Sequence, residues 1–146
     1  FLYSSEEALT DAYAERRQSL HEAWNLVFSE DVSVVEGMQR VETTVAPESD
    51  GPAPDRLIAG APVFTTWNVE EQDGLYCGIW QSTPGKWRVY YDEWEYCRIL
   101  TGHSIITGDD GTVHEVRGGD SFILRPGFTG TWEVVETTVK EYVIRM

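Results

Sequence analysis

Positive charge is scarce in this chain. There are 11 Lys and Arg against 25 Asp and Glu, a formal net charge of −14. Nucleic acids and anionic membrane surfaces are held through Lys/Arg patches, so neither is an expected partner. The imbalance is steepest at the front: residues 1–54 carry 11 acidic and 3 basic side chains, residues 55–146 carry 14 and 8. Cysteine is scarcer still. Cys77 and Cys97 are too few for a disulfide framework. Both sit in strand-like runs, where a free thiol behaves as a small buried hydrophobe. Histidine is limited to His21, His103 and His114, widely spaced and without the paired imidazoles of a transition-metal site. No apolar run is long enough to span a bilayer, and no basic segment with a small-residue cleavage site marks a signal peptide. A cytoplasmic location is the expectation that follows.

What the chain does have is aromatic and apolar mass. Six Trp and seven Tyr within a 41% hydrophobic composition are enough to build a real core. At the front, Ser4 and Glu7 have the spacing of a capping box. Leu9, Tyr13, Leu20, Trp24, Val27 and Phe28 then recur at helical spacing, which predicts a helix over about 5–29. A shorter helix is expected after Asp31. This arm, residues 1–42, has only one apolar face and must dock elsewhere to be stable. Residues 43–54, rich in Pro, Gly and small polar residues, read as a linker. Short strands are expected beyond it: 61–68, 75–82, 86–91, 95–100, 104–107, 113–116, 121–124, 130–135 and 140–144. Turn sequences at Asp109-Asp110-Gly111, Gly118-Gly119-Asp120 and Pro126-Gly127 separate several of them. Many short strands with such punctuation predict an all-β sandwich or barrel over residues 55–146.

The densest chemistry lies between Gly85 and Gly102. Trp87, Val89, Tyr91 and Glu93 share one parity, and after an acidic turn Glu95, Cys97 and Ile99 share a face. Successive strand side chains alternate between faces. One face therefore gathers a phenol, two carboxylates and a thiol between apolar neighbours. Two carboxylates in one low-dielectric space cannot both ionise cheaply, which would supply a proton donor and an acceptor at neutral pH. As alternatives, Glu93 and Glu95 lie solvated at a rim, and Cys97 is simply core. Acidic neighbours disfavour a Cys97 thiolate, and no histidine lies near it in the sequence.

The same stretch resembles the first cupin motif. Gly85 is followed by five residues and then Tyr91-Asp92-Glu93; Glu95 is followed by six residues and then Gly102. A second cupin-like motif runs from Gly118 to Val134, GGDSFILRPGFTGTWEV. The wording of the pair is similar to the ureidoglycine aminohydrolase-like cupins, which include the ethanolamine-utilisation cupin. The resemblance covers roughly residues 55–146. It implies a single cupin (RmlC-like) antiparallel β-barrel or jelly roll, here with an N-terminal helical extension. The departures are specific. Tyr91 and Glu93 stand where metal-binding cupins carry histidines, and Gly130 stands where the second motif has its own. Of the usual four ligands only Glu95 remains.

These features predict a barrel that binds a small polar molecule, cationic or amino-bearing, without the usual metal or any other cofactor. The expected pocket is built on Glu95, with Tyr91, Glu93, Cys97, Trp132, Trp87 and Phe128 as its lining. Trp132 joins the set because it lies two residues past Gly130, on the same parity. A homodimer is expected, since cupin barrels commonly pair. Two rival functions stand beside this one: a metal-dependent enzyme of the ureidoglycine aminohydrolase type acting on a C–N bond, and a structural or regulatory subunit acting through its helical arm.

Overall fold

The computed structural model describes residues 37–146, of which Val41–Met146 form one compact unit. The helix expected over 5–29 falls outside the described residues, as does most of the shorter one after Asp31; its last residues, 37–40, are described and are not helical. Among the described residues there are nine strands and no helix. The strands are β1 (Glu48–Asp50), β2 (Leu57–Gly60), β3 (Phe64–Gln72), β4 (Leu75–Ser82), β5 (Gly85–Tyr90), β6 (Trp94–Gly108), β7 (Val113–Arg117), β8 (Ser121–Leu124) and β9 (Thr129–Arg145). All pairings are antiparallel and join into one sheet curled around an apolar core.

Two long strands organise this sheet. β9 pairs with β6 along one edge and, along the other, with β5 through its first residues and β4 through its last. β6 in turn carries β8 and β7 one after the other on its free edge. Each of these long strands was expected as two short ones. β6 continues through Thr101-Gly102 because Gly102 adopts a φ of 99°, which a side chain rarely tolerates, and because a Cβ there would fall on the Thr137 carbonyl oxygen. Register shifts between Ile99 and Ser104 mark β-bulges at this point. They exchange the parity of the strand: Glu95, Cys97 and Ile99 are buried before them, Ser104 and Ile106 after.

Two edge strands were missed. β1 lies inside the stretch read as a linker and pairs Glu48–Asp50 with β3. β2 pairs with β5. Both are exposed along their whole length. They therefore lack the apolar alternation by which a half-buried strand announces itself. The core beneath the sheet includes Trp87, Val89, Cys97, Ile99, Ile106, Val116, Leu124, Trp132 and Val134.

Candidate functional site

The register places the inward side chains of β1, β3, β4, β9 and β6 in rows across the curled sheet. One row runs Glu48, Thr66, Trp80, Lys140, Ile99. The next runs Asn68, Gly78, Tyr142, Cys97, Phe122, and a third runs Glu71, Tyr76, Ile144, Glu95, Leu124. A bulge between Asn68 and Glu70 exchanges parity in β3, so Glu71 rather than Glu70 joins the inner face. The middle row has no side chain at Gly78. A Cβ there would fall on the Trp67 carbonyl oxygen and meet the Tyr142 hydroxyl at 2.7 Å. The space so left lets the Tyr142 O–H donate to Asn68 Oδ1 at 2.7 Å. These rows face a cavity of about 540 Å³, which Phe64, Trp87, Trp132 and Tyr91 also line.

Glu95 and Lys140 form the charged centre of this cavity. They are four register positions apart on neighbouring strands, and the lysine stem runs along the sheet past Cys97. Lys140 Nζ donates to Glu95 Oε2 at 2.9 Å and lies 3.8 Å from Cys97 Sγ. The two partners are only 3% and 5% exposed. The ammonium also sits over the faces of Trp80, at 4.7 Å, and Trp132, at 4.6 Å, where the ring quadrupoles favour a cation. Burial alone pulls the Lys140 pKa down, but Cys97 and Glu95 outweigh it and hold the ammonium above the ordinary lysine value. Burial, chiefly, pushes the Cys97 thiol up to about 12. That thiol is therefore neutral at pH 7. Burial likewise raises the Tyr91 phenol well above its usual value, with Glu95 and Cys97 adding to the shift. Tyr142 is pushed up to about 12 by burial, then by Cys77, Glu95, Glu48 and Glu71. Both phenols are hydrogen-bond donors at neutral pH.

Of the residues expected to form the pocket, Glu95, Tyr91, Trp87 and Trp132 line this cavity. Trp87 and Trp132 stack almost parallel, 7° apart, with centroids separated by 6.4 Å. Cys97 lies buried beneath the lysine head. Glu93 is not brought in. It belongs to the turn between β5 and β6, and its carboxylate accepts a hydrogen bond from the Asp92 N–H at 3.2 Å. The charge facing Glu95 is thus a lysine and not a second carboxylate. Phe128 packs against Tyr91 at 6.2 Å and lines a separate cavity of about 630 Å³ with Phe122, Leu124 and Val116. Lys140, Trp80, Tyr142, Asn68, Glu48 and Glu71 were missed. For Lys140 the signal was present: it is an even number of residues from Trp132, and hence on its face of an unbroken strand. Dividing β9 in two lost that parity.

Residues 69–142, half of the chain, match the family described as the EutQ-like cupin domain. The chain belongs to this family. Solved structures agree on the fold. A Pseudomonas syringae protein of unknown function from the DUF861 family superposes with a TM-score of 0.65 at 20% identity, over 71% of this chain and 46% of its own. This chain thus spans under half of that protein's length. The EutQ protein of Clostridium difficile gives 0.54 at 19% identity, covering 66% and 79% of the two chains. A putative ethanolamine utilization protein Q from Salmonella typhimurium gives 0.52 at 14%, covering 70% and 97%. No curated protein matches the sequence.

Metal-binding cupins imply an ion at this level of the barrel, and the donors of this EutQ-like cupin do not fit one. Glu95 is already neutralised by an ammonium at 2.9 Å. The phenol and thiol beside it are held protonated. At Gly130 a Cβ would fall on the Thr107 carbonyl oxygen, so no histidine fits at the position of the second motif. Among the described residues no three His, Cys, Asp or Glu side chains form a metal-holding group. Among those residues, too, no helix is long and apolar enough to cross a membrane.

Proposed function

We propose that this cupin binds a small polar organic molecule in the cavity at the Glu95–Lys140 pair, with the lysine ammonium neutralising Glu95 as a metal does in other cupins. The observation that carries this reading is the pair itself. A buried ion pair is seldom the cheapest way to stabilise a core, since apolar residues of similar volume often do as well. Here it lies at the wall of an aromatic cavity of about 540 Å³, within the usual range of small-molecule sites. Polar groups converging on a concave aromatic surface are the features that fix a ligand's orientation.

The aminohydrolase alternative receives no support from the donor set. Lys140 is held charged and Cys97 neutral, so neither is a nucleophile at neutral pH. The test is a thermal-shift and tryptophan-fluorescence screen of small polar molecules against the protein and its Thr66→Trp variant. Thr66 lines the cavity between Glu48 and Trp80, and the larger indole fills the space. Ligands should bind the parent and be lost in Thr66→Trp with the strand circular dichroism unchanged. Ligands indifferent to Thr66→Trp would move the site elsewhere.

A further inference from the structure

We infer that the ligand of this cavity is a small organic cation, of the primary-amine or alkylammonium class, recognised by Glu48 and Glu71 at the cavity's mouth. This rests on the binding function proposed above and adds the ligand's charge. Three carboxylates and one ammonium line the cavity: Glu48, Glu71, Glu95 and Lys140. The two innermost cancel. Lys140 donates to Glu95 at 2.9 Å and is caged by Trp80 and Trp132, so its charge is already met and offers little to an incoming anion. What remains are Glu48 and Glu71, both exposed, at the β1 and β3 ends of the first and third rows.

Between these two acids lies the neutral row of Asn68 and Tyr142, whose side chains bond to each other. Glu71 accepts only a long bond from Asn68 Nδ2, at 3.4 Å, and no ion pair engages either acid among the described residues. A ligand entering here meets carboxylates at the mouth, and the rings of Phe64 and Tyr76, which carry no resident cation, line the same cavity. Carboxylates beside ring faces suit an ammonium: the acids supply the counter-charge and the rings a cation-attracting surface. An anion meets repulsion at the mouth and finds no free positive charge within. A divalent metal finds two acids on opposite sides of a neutral pair, too few oxygens for a hard cation.

The experiment uses the full chain and three probes of one shape: 2-phenylethylamine, the neutral 2-phenylethanol and the anionic 3-phenylpropionate. Binding is read by tryptophan quenching and calorimetry at low and high salt. The amine should bind at least about tenfold more tightly than the alcohol, a gap of about 1.4 kcal/mol, and the carboxylate more weakly than either. Salt should narrow the amine's advantage. In Glu48→Gln/Glu71→Gln the amine should fall to the level of the alcohol, with the alcohol's own affinity unchanged. An alcohol or carboxylate that binds as well as the amine overturns the cation assignment and leaves the cavity function standing. Absence of binding by all three overturns both.

Discussion

Replacing Lys140 by Met keeps the length of the stem and removes the charge. The pair is almost fully buried, with a 2.9 Å contact, so removing one partner strands the Glu95 carboxylate away from water. Breaking a buried pair in this way costs about 3–5 kcal/mol. Domains of this size have only about 5–15 kcal/mol of stability in all. At about 4 °C per kcal/mol for a chain of this size, the melting temperature should fall by about 12–20 °C. The cation–π contacts to Trp80 and Trp132 disappear too, but a thioether packs well against rings and returns part of that loss. The assay is urea unfolding of the parent, Lys140→Met, Glu95→Leu and the double variant. Each single change strands one charge, whereas the double change leaves two apolar groups. The double variant should therefore be more stable than the sum of the single losses predicts, with a coupling of about 2 kcal/mol. Additive losses, or a Lys140→Met variant that melts with the parent, would show that the pair is not the charged centre of the barrel.

Other expectations follow from the same geometry. Gly78→Ala should cost on the order of 1–3 kcal/mol, because its Cβ displaces the Tyr142 hydroxyl and the Trp67 carbonyl; an unchanged urea midpoint would contradict the packing described. Stability should fall on the alkaline side. Cys97, Tyr91, Tyr142 and Lys140 all have folded-state pKa values above their ordinary ones. The native state then binds more protons than the unfolded chain, so stability declines from about pH 9, the ordinary thiol value, upward. A melting temperature flat to pH 11, about one unit above the ordinary tyrosine value, would refute this. Asp109, held down at about 2 by hydrogen bonds from Arg88 and Thr129, contributes above the usual carboxylate range and loses that contribution as pH falls toward 2. Because this pair is exposed, Asp109→Asn should move the melting temperature at neutral pH only slightly; a large drop would contradict that. The homodimer expected from the sequence predicts twice the chain mass in sedimentation equilibrium, and the exposed Leu57 and Ile58 of β2, at 40% and 50%, are available to it; a monomer mass would exclude it.

The alternation of Trp87, Tyr91 and Glu95 was enough to bring these three to one cavity, because a strand's period is read directly from its residues. The turns at 109–111, 118–120 and 126–127 were equally legible, since glycine and aspartate there answer a local backbone need. What could not be read is long-range register. Lys140 reaches Glu95 only through the pairing of β9 with β6, and Gly78 opens the cavity only because β3 and β9 flank it. Glu93 misled for the opposite reason: parity was extended through a turn, where the backbone no longer alternates. The bulges in β3 and β6 exchange faces without any signal in apolar spacing, which is why Glu71 and Ser104 were not assigned inward.

Native mass spectrometry of the full-length protein, purified from its own host without added ligand or chelator, reads the occupant of the barrel in one spectrum. With Lys140 neutralising Glu95, the predicted species is the polypeptide carrying a dissociable small organic molecule and no transition metal. One Mn, Fe, Ni or Zn ion per chain would contradict the assignment of the lysine ammonium as the group that neutralises Glu95.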